Sequence, residues 1–308
     1  MHEHDFNSFK KKRVKLISDK YNLDMLIGSL PENILYLSSF KSLSHSTLHR
    51  VQAYALYIRK DDILSLVLPT ADIATFFEQH KNLKVYCYGD FFFSAPKNNI
   101  SLETEKIKDI TDQKYRSPEE ALIEAIRKSG IKRGRIGLDE SRVSPQVWMT
   151  VVSTFSDIEF VPGMNIFSEI RMIKHEKEID YLEKAAVNTE ASLFVALSQL
   201  KIKMTEKELE QLYASEIVKR GGLPFFAVVT EGVRSAYSDT FSTNRNIDNG
   251  SLLRFDIGSI YEDYRADIAR TAVVGKHSSK VEDYYKYIGR RGTDTRENST
   301  WCHCWRTI

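Results

Sequence analysis

Several features are scarce in this chain, and each scarcity argues against a class of protein. The 308 residues hold three cysteines, Cys87, Cys302 and Cys304, which are too few for a disulfide framework. No stretch approaches the length of uninterrupted apolar sequence that a membrane span needs. Segment 1–15 is polar and lacks the apolar core of a signal peptide. We therefore expect a cytoplasmic protein.

A strong excess of one charge is also missing. The formal net charge is +2, and segment 289–308 supplies all of it, with four arginines against one aspartate and one glutamate. The rest of the chain is close to neutral, which argues against nucleic acid as a partner. Apolar residues make up 42% of the chain, enough for proper cores. The length suggests two domains or one large α/β domain.

The first part of the chain mixes strand and helix signals. Alternating apolar runs over 23–30 and 34–37 predict two strands joined by a turn at Pro31. Serine and proline at 117–118 predict the start of a helix, with a strand after it. Strand, helix and strand in this order predict an α/β domain, which we assign to residues 1–160.

The second part begins with helical apolar spacing over 168–200, after a Pro-Gly linker. Thr205 and Glu208 have the spacing of a capping box and predict the start of a further helix. Strands and turns follow. We assign a second domain, of the α+β type, to residues 168–289.

The chemistry of the chain is concentrated in two aspartates. Asp256 lies in the apolar run 252–258, and Asp267 opens the next run, 267–274. A carboxylate in an apolar strand is costly to bury unless a cation or hydrogen bonds compensate it. Two such carboxylates on adjacent strands suit one or two divalent metal ions. The alternative is that both are turn or salt-bridge residues, with Arg270 as the obvious partner.

Four segments in the same order resemble one family. Residues 23–37 look like the opening of a creatinase-type N-terminal domain, and 169–179 resemble the entry into the family's second domain. The motif Asp-x-Gly at 256–258, with Tyr-x-x-Asp-x-x-Arg-Thr at 264–271, is similar to the family's first metal-binding hairpin. Over residues 8–276 the chain is identified as a member of the M24 metallopeptidases, of the Xaa-Pro dipeptidase or aminopeptidase type.

The resemblance implies a fold, a metal centre and a substrate. The fold is an α/β creatinase-type N-terminal domain followed by an incomplete α+β "pita-bread" catalytic domain. Asp256 would bind one of two divalent ions (manganese, cobalt or zinc) and Asp267 would bridge both. Two metals can generate hydroxide near neutral pH and hold the oxyanion that its attack creates. The substrate would be a dipeptide or a peptide N-terminus, and the family usually forms homodimers.

One departure from the family pattern concerns Asp239. It stands where family members carry a histidine that contacts the substrate, and no histidine lies between His175 and His277. An ionised aspartate cannot donate a hydrogen bond. This leaves open a related enzyme on a non-peptide C–N or C–S bond, or a non-catalytic pita-bread binding protein. A shifted alignment, or Asp239 as a turn cap, is a further alternative.

A second departure concerns the last residues. The family's remaining ligands, one histidine and two glutamates, come well after the hairpin, whereas 290–308 has no apolar periodicity. We expect a frame shift near Gly289, because reading one base later turns the codons of Trp301 and Trp305 into glycine codons. The shifted frame permits a sequence like the family's next helices. A metal site at Cys-His-Cys 302–304 is the weaker alternative. We expect this truncated chain to be inactive.

Overall fold

The computed structural model describes residues 2–48, 50–80, 83–91, 101–276, 279–281, 283–284 and 286–287. The chain divides into two compact units between His175 and Glu176. The predicted aberrant tail, 290–308, lies outside the described residues. Within the described residues, no helix combines the length and the hydropathy that a membrane span requires.

The first unit is an α/β unit built on one mixed sheet. Its helices are α1 (His2–Lys20), α2 (Pro31–Ser38), α3 (Leu43–Thr47), α4 (Ile73–Gln79), α5 (Leu102–Asp112), α6 (Pro118–Lys128), α7 (Pro145–Thr154) and α8 (Met164–Met172). Its strands are β1 (Met25–Gly28), β2 (Tyr54–Ile58), β3 (Ile63–Pro69), β4 (Lys84–Tyr88), β5 (Gly134–Leu138) and β6 (Ile158–Pro162). The strand order is β4-β3-β2-β1-β5-β6, with β1–β2 and β2–β3 antiparallel and the other pairs parallel.

Both faces of this sheet are covered, and the central strand β1 is buried along its whole length. Met25 and Ile27 point into a core that includes α6 and α7. Leu26, between them, points into another core that includes Val14 of α1 and Phe167 of α8. This alternation is why the sequence of β1 is apolar throughout.

The structure corrects one predicted strand. Residues 34–37 belong to the helix α2, which begins after Leu30 with Pro31 as its first residue. The buried carboxylate of Asp139 accepts from the backbone N–H groups of Ser29 (3.0 Å) and Leu30 (2.9 Å), and from the side chain of Asn33 (2.7 Å). A carboxylate at this position favours the start of a helix. Because Asp139 lies in a distant segment of the chain, its effect cannot be read from the local apolar pattern, which wrongly predicted a strand.

Helix α8 belongs to the first unit, although the sequence prediction assigned residues from 168 onward to the second domain. Its buried side chains Phe167 and Ile170 pack in the same core as Val14 of α1. Arg13 of α1 also donates to the carbonyl oxygens of Glu169 (2.8 Å) and Ile170 (3.2 Å). These contacts explain why the units divide after α8.

The second unit packs two helices on one face of an antiparallel sheet. Its elements are α9 (Glu176–Ser198), α10 (Glu206–Lys219), β7 (Leu223–Glu231), β8 (Leu252–Tyr261), β9 (Tyr264–Arg265) and β10 (Ile268–Val273). The strand order is β10-β8-β7, and β9 pairs with β8. The predicted capping box is confirmed, since Glu208 N–H donates to Thr205 Oγ1 (3.2 Å) and Thr205 N–H donates to Glu208 Oε2 (2.7 Å).

Candidate metal centre

Asp256 projects from the face of the sheet opposite the helices. On β8 its neighbours Phe255 and Ile257 are fully buried in the core formed with α9 and α10. Because successive side chains of a strand alternate between faces, Asp256 points the other way. It pairs with Ala269 on β10, and its side chain is 26% exposed. The carboxylate is therefore partly shielded from water but accessible.

Asp267 lies on that same face. The β8–β10 register continues to Ala266, whose N–H donates to Ser259 O (2.9 Å), so Asp267 stands opposite Gly258. Asp267 is two positions before Ala269, the partner of Asp256. The two aspartates are therefore diagonal neighbours, with their Cα atoms about 7–8 Å apart. The β8–β10 register brings the exposed Asp267 and the half-buried Asp256 together.

Gly258 explains the spacing of the Asp-x-Gly motif. A Cβ atom at this position would collide with the carbonyl oxygen of Ala266 and would lie 2.7 Å from the ring of Phe226. The absence of a side chain lets the segment before β10 approach β8 closely. Gly258 thereby keeps Asp267 beside the strand that carries Asp256.

The cation beside Asp256 is Arg254, which the sequence analysis missed. Its Nη2 donates to Asp256 Oδ2 at 2.7 Å, and its Nη1 donates to the carbonyl oxygens of Tyr237 and Ser238, both at 2.6 Å. The signal was present, because residues two apart on a strand share a face. One guanidinium thus joins the strand of Asp256 to the loop that leads to β8.

Arg270 is not the partner of Asp256, so this part of the salt-bridge alternative is wrong. In the register Arg270 stands opposite Phe255, on the helix-covered face. Its Nη2 donates to Glu190 of α9 at 2.7 Å. Strand alternation separates Arg270 from Asp256, although the two are close in sequence.

Asp239 lies in the loop that Arg254 holds. It follows Ser238, whose carbonyl oxygen accepts from Arg254, and its side chain is exposed. The structure therefore places the loop of Asp239 next to the strand of Asp256. As a carboxylate, Asp239 offers acceptor oxygens where the resemblance implies a histidine.

The hairpin provides part of a metal site. Asp256 and Asp267 present carboxylate oxygens on one face, the donor chemistry that hard divalent cations take. Arg254 occupies one oxygen of Asp256. Within the part of the chain that the structure describes, no group of three or more histidine, cysteine, aspartate or glutamate side chains could hold a metal. The two aspartates fit a divalent ion as members of a larger donor set.

Family models match both units. Residues 11–173 match the creatinase/prolidase N-terminal domain, and residues 180–288 match metallopeptidase family M24. The chain belongs to the M24 metallopeptidases that carry a creatinase-type N-terminal domain. The predicted family and fold are confirmed, and the family implies a divalent metal cofactor.

Among known proteins, the chain is similar to Xaa-Pro dipeptidases. It is 23% identical over 291 residues to the enzyme of Pyrococcus horikoshii, covering 92% of this chain and 69% of the relative. It is 28% identical over 136 residues to the enzyme of Pyrococcus furiosus, covering 42% of this chain and 38% of the relative. The chain thus spans from under half to about two thirds of the length of these relatives.

Solved structures show the same fold. A prolidase from Thermococcus sibiricus superimposes with a TM-score of 0.72 at 19% identity, covering 96% of this chain and 71% of that one. An Xaa-Pro dipeptidase from Bacillus anthracis gives a TM-score of 0.71 at 18% identity, covering 93% and 71%. The similarity in fold extends over more than nine tenths of this chain.

Proposed function

We propose that this chain carries the metal-binding hairpin of a metal-dependent hydrolase acting on dipeptides or peptide N-termini with proline in second position. The observation that carries the proposal is the register that makes Asp256 and Asp267 diagonal neighbours on the sheet face opposite α9 and α10. The relatives in Pyrococcus horikoshii and Pyrococcus furiosus, both named Xaa-Pro dipeptidase, support the substrate class. They do not favour the C–N or C–S alternative or a non-catalytic binding role.

In this proposal Asp256 and Asp267 hold divalent ions, manganese, cobalt or zinc, with two ions in a complete site. A bound metal supplies Lewis acidity at a peptide carbonyl and lowers the pKa of water. The chain's own residues prepare the site. Arg254 keeps Asp256 in one orientation and neutralises part of the repulsion between the two aspartates. Gly258 keeps Asp267 within reach.

Asp239 has a separate role in the proposal. Its exposed side chain belongs to a loop that Arg254 holds beside the hairpin through the carbonyl oxygens of Tyr237 and Ser238. Because a carboxylate accepts hydrogen bonds and carries negative charge, it suits the ammonium group of a peptide N-terminus. This would select short peptides with a free amino end, which agrees with an exopeptidase.

Titration with Mn²⁺, followed by the electron paramagnetic resonance signal of the free ion, tests the metal site in the full chain. We expect Asp256→Asn and Asp267→Asn each to weaken binding by about tenfold or more, because each removes a charged donor. Asp263→Asn is the matched control, since Asp263 is an exposed residue of the same hairpin at φ 66°, a conformation that asparagine adopts readily. Equal Mn²⁺ affinity in all three variants would reject the site.

The substrate class is tested with two dipeptides of the same composition. Thermodynamic linkage is reciprocal. If bound Mn²⁺ increases the affinity for a dipeptide by some factor, the bound dipeptide increases the affinity for Mn²⁺ by the same factor. We expect this effect from Ala-Pro and not from Pro-Ala. Equal effects of both would reject the preference for proline in second position and leave the metal site standing. A homodimer and a cytoplasmic location stay predictions of the sequence.

A further inference from the structure

A groove lined only by residues of the first unit has no part in the proposed function. It has a volume of about 720 Å³, within the range of small-molecule sites. We call it the lysine groove. Residues with polar groups that line it include Lys10, Lys11, Lys15, Tyr57, Asp62 and His80.

Positive charge dominates the lysine groove. Four lysines line it, three of them exposed on α1, against the single aspartate Asp62. Lys11 lies 3.9 Å from Asp62, so that carboxylate is already matched by a cation. The fourth, Lys10, is only 8% exposed, and its Nζ donates to Ser39 Oγ at 2.8 Å. An ammonium held this far out of water strengthens attraction for an anion.

Two neutral polar side chains accompany the lysines in the groove. The Tyr57 hydroxyl and the Nε2 atom of His80 are buried, and neither atom has a hydrogen-bond partner at normal distance within the described residues. The carboxylate of Asp62 lies near the Tyr57 hydroxyl, and the His80 ring contacts the backbone of Ser39. Tyr57 is 4% exposed. Burial, and then the neighbouring carboxylate of Asp62, raise the pKa of Tyr57 to about 12, which keeps the phenol protonated. Burial lowers the pKa of His80, which favours the neutral ring. Buried groups of this kind usually have a partner, and a ligand would supply one.

We propose that the lysine groove binds a small molecule bearing a phosphate or diphosphate group. The exposed lysines would neutralise its charge, and the Tyr57 hydroxyl would donate a hydrogen bond to one of its oxygens. Several ammonium groups on one wall favour a multivalent anion over a single carboxylate, and lysine is a common phosphate ligand. Tyr36 and Leu64 give the groove an apolar wall that suits an organic group attached to the phosphate.

Calorimetric titration of the full chain with inorganic pyrophosphate and with adenosine diphosphate, at physiological ionic strength and without divalent metal, tests the proposal. We expect both to bind. The double variant Lys11→Gln/Lys15→Gln should weaken binding about tenfold. Tyr57→Phe, which keeps the ring, should weaken it by a similar factor of about ten. Lys132→Gln, at an exposed lysine outside the groove, is the matched control and should change nothing.

Tighter binding of adenosine diphosphate than of pyrophosphate would show that the apolar wall contributes, whereas equal affinities would show recognition of the diphosphate alone. Both results support the site. The proposal is overturned if neither pyrophosphate nor adenosine diphosphate binds. Binding that Lys132→Gln weakens as much as the double variant also overturns it, because the attraction would then reflect net charge alone. The variants Asp256→Asn and Asp267→Asn, which remove the proposed metal ligands, should bind both anions with the affinity of the wild type.

Discussion

Arg254 and Asp256 stand two residues apart on β8, and the Arg254 Nη2 donates to the Asp256 Oδ2 at 2.7 Å. The other end of the guanidinium holds the carbonyl oxygens of Tyr237 and Ser238. A single side chain therefore supplies the counter-charge of one proposed metal ligand and fastens the adjacent loop. These three contacts use the planar fork of N–H donors of the guanidinium, a geometry that a lysine ammonium does not have.

Replacing Arg254 by methionine tests its role as the counter-charge. We expect Arg254→Met to lower the free energy of unfolding of the second unit by about 1.5–3 kcal/mol without metal, because a charged hydrogen bond is lost and Asp256 faces Asp267 uncompensated. Saturating Mn²⁺ should recover part of this loss, since the ion replaces the missing positive charge. Urea unfolding with and without Mn²⁺ measures both effects.

The control for that experiment is Arg270→Met. Arg270 pairs with Glu190 on the opposite face of the sheet, so its loss should also destabilise the unit, but Mn²⁺ should stabilise this variant no more than it stabilises the wild type. A larger Mn²⁺ recovery in Arg270→Met than in Arg254→Met would contradict the assignment of faces.

Gly258→Ala tests why the motif needs a glycine. The added methyl group would meet the carbonyl oxygen of Ala266 and the ring of Phe226. We expect a loss of about 1–3 kcal/mol in stability and weaker Mn²⁺ binding, because the segment carrying Asp267 must move away. Thermal unfolding and Mn²⁺ titration measure the two effects. Normal stability with normal Mn²⁺ affinity would show that the close approach is unimportant.

Features encoded by neighbouring residues were predictable from the sequence. The Ser117–Pro118 start of α6 and the Thr205–Glu208 start of α10 are local patterns, and both helices begin at the predicted place. The hairpin motif likewise predicted that Asp256 and Asp267 lie on neighbouring segments, which agrees with the β8–β10 register. Their role in metal binding stays a prediction.

Features that depend on distant segments or on strand register were not predictable. Helix α2 was predicted as a strand because its N-terminal partner, Asp139, lies more than a hundred residues away. The choice between Arg254 and Arg270 as partner of Asp256 required the β8–β10 register, which assigns the two arginines to opposite faces. The boundary after α8 depended on packing against α1, which the local sequence does not show.

Asp139→Asn tests the buried carboxylate that starts α2. Burial alone would raise the pKa of Asp139, but hydrogen bonds from Leu30, Asn33, Ser141 and Ser29 outweigh it, and the pKa is lowered. We expect the free energy of unfolding of the variant to be lower by about 2–4 kcal/mol at neutral pH, because an amide cannot accept hydrogen bonds from all of these donors. Urea unfolding of the first unit measures the loss.

The same carboxylate makes a prediction about pH. Since its pKa is lower in the folded state, its contribution to stability is present above the unfolded pKa of about 3.9 and declines as pH falls through the folded value. The difference in unfolding free energy between wild type and Asp139→Asn should therefore be constant between the assay conditions of pH 5 and pH 7. It should become smaller below about pH 4. A difference that widens on acidification would contradict the lowered pKa.

The fragment 1–175 should fold alone. Among the described residues, its three hydrophobic clusters, represented by Leu56, Leu26 and Ile34, are formed by residues of the first unit only. We expect cooperative thermal unfolding and dispersed amide NMR signals. The shorter fragment 1–163, which lacks Phe167 and Ile170 of α8, is the matched control and should be less stable. Equal stability of the two fragments would contradict the assignment of α8 to the first unit.

The central claim is that Asp256 and Asp267 bind metal together, and a crystal of the chain soaked in Mn²⁺ tests it most directly. An anomalous difference map recorded at the manganese edge locates the ion. We predict a peak within about 2.0–2.6 Å of carboxylate oxygens of both Asp256 and Asp267. A peak elsewhere, or no peak while Asp256 stays bonded to Arg254 alone, would contradict the account.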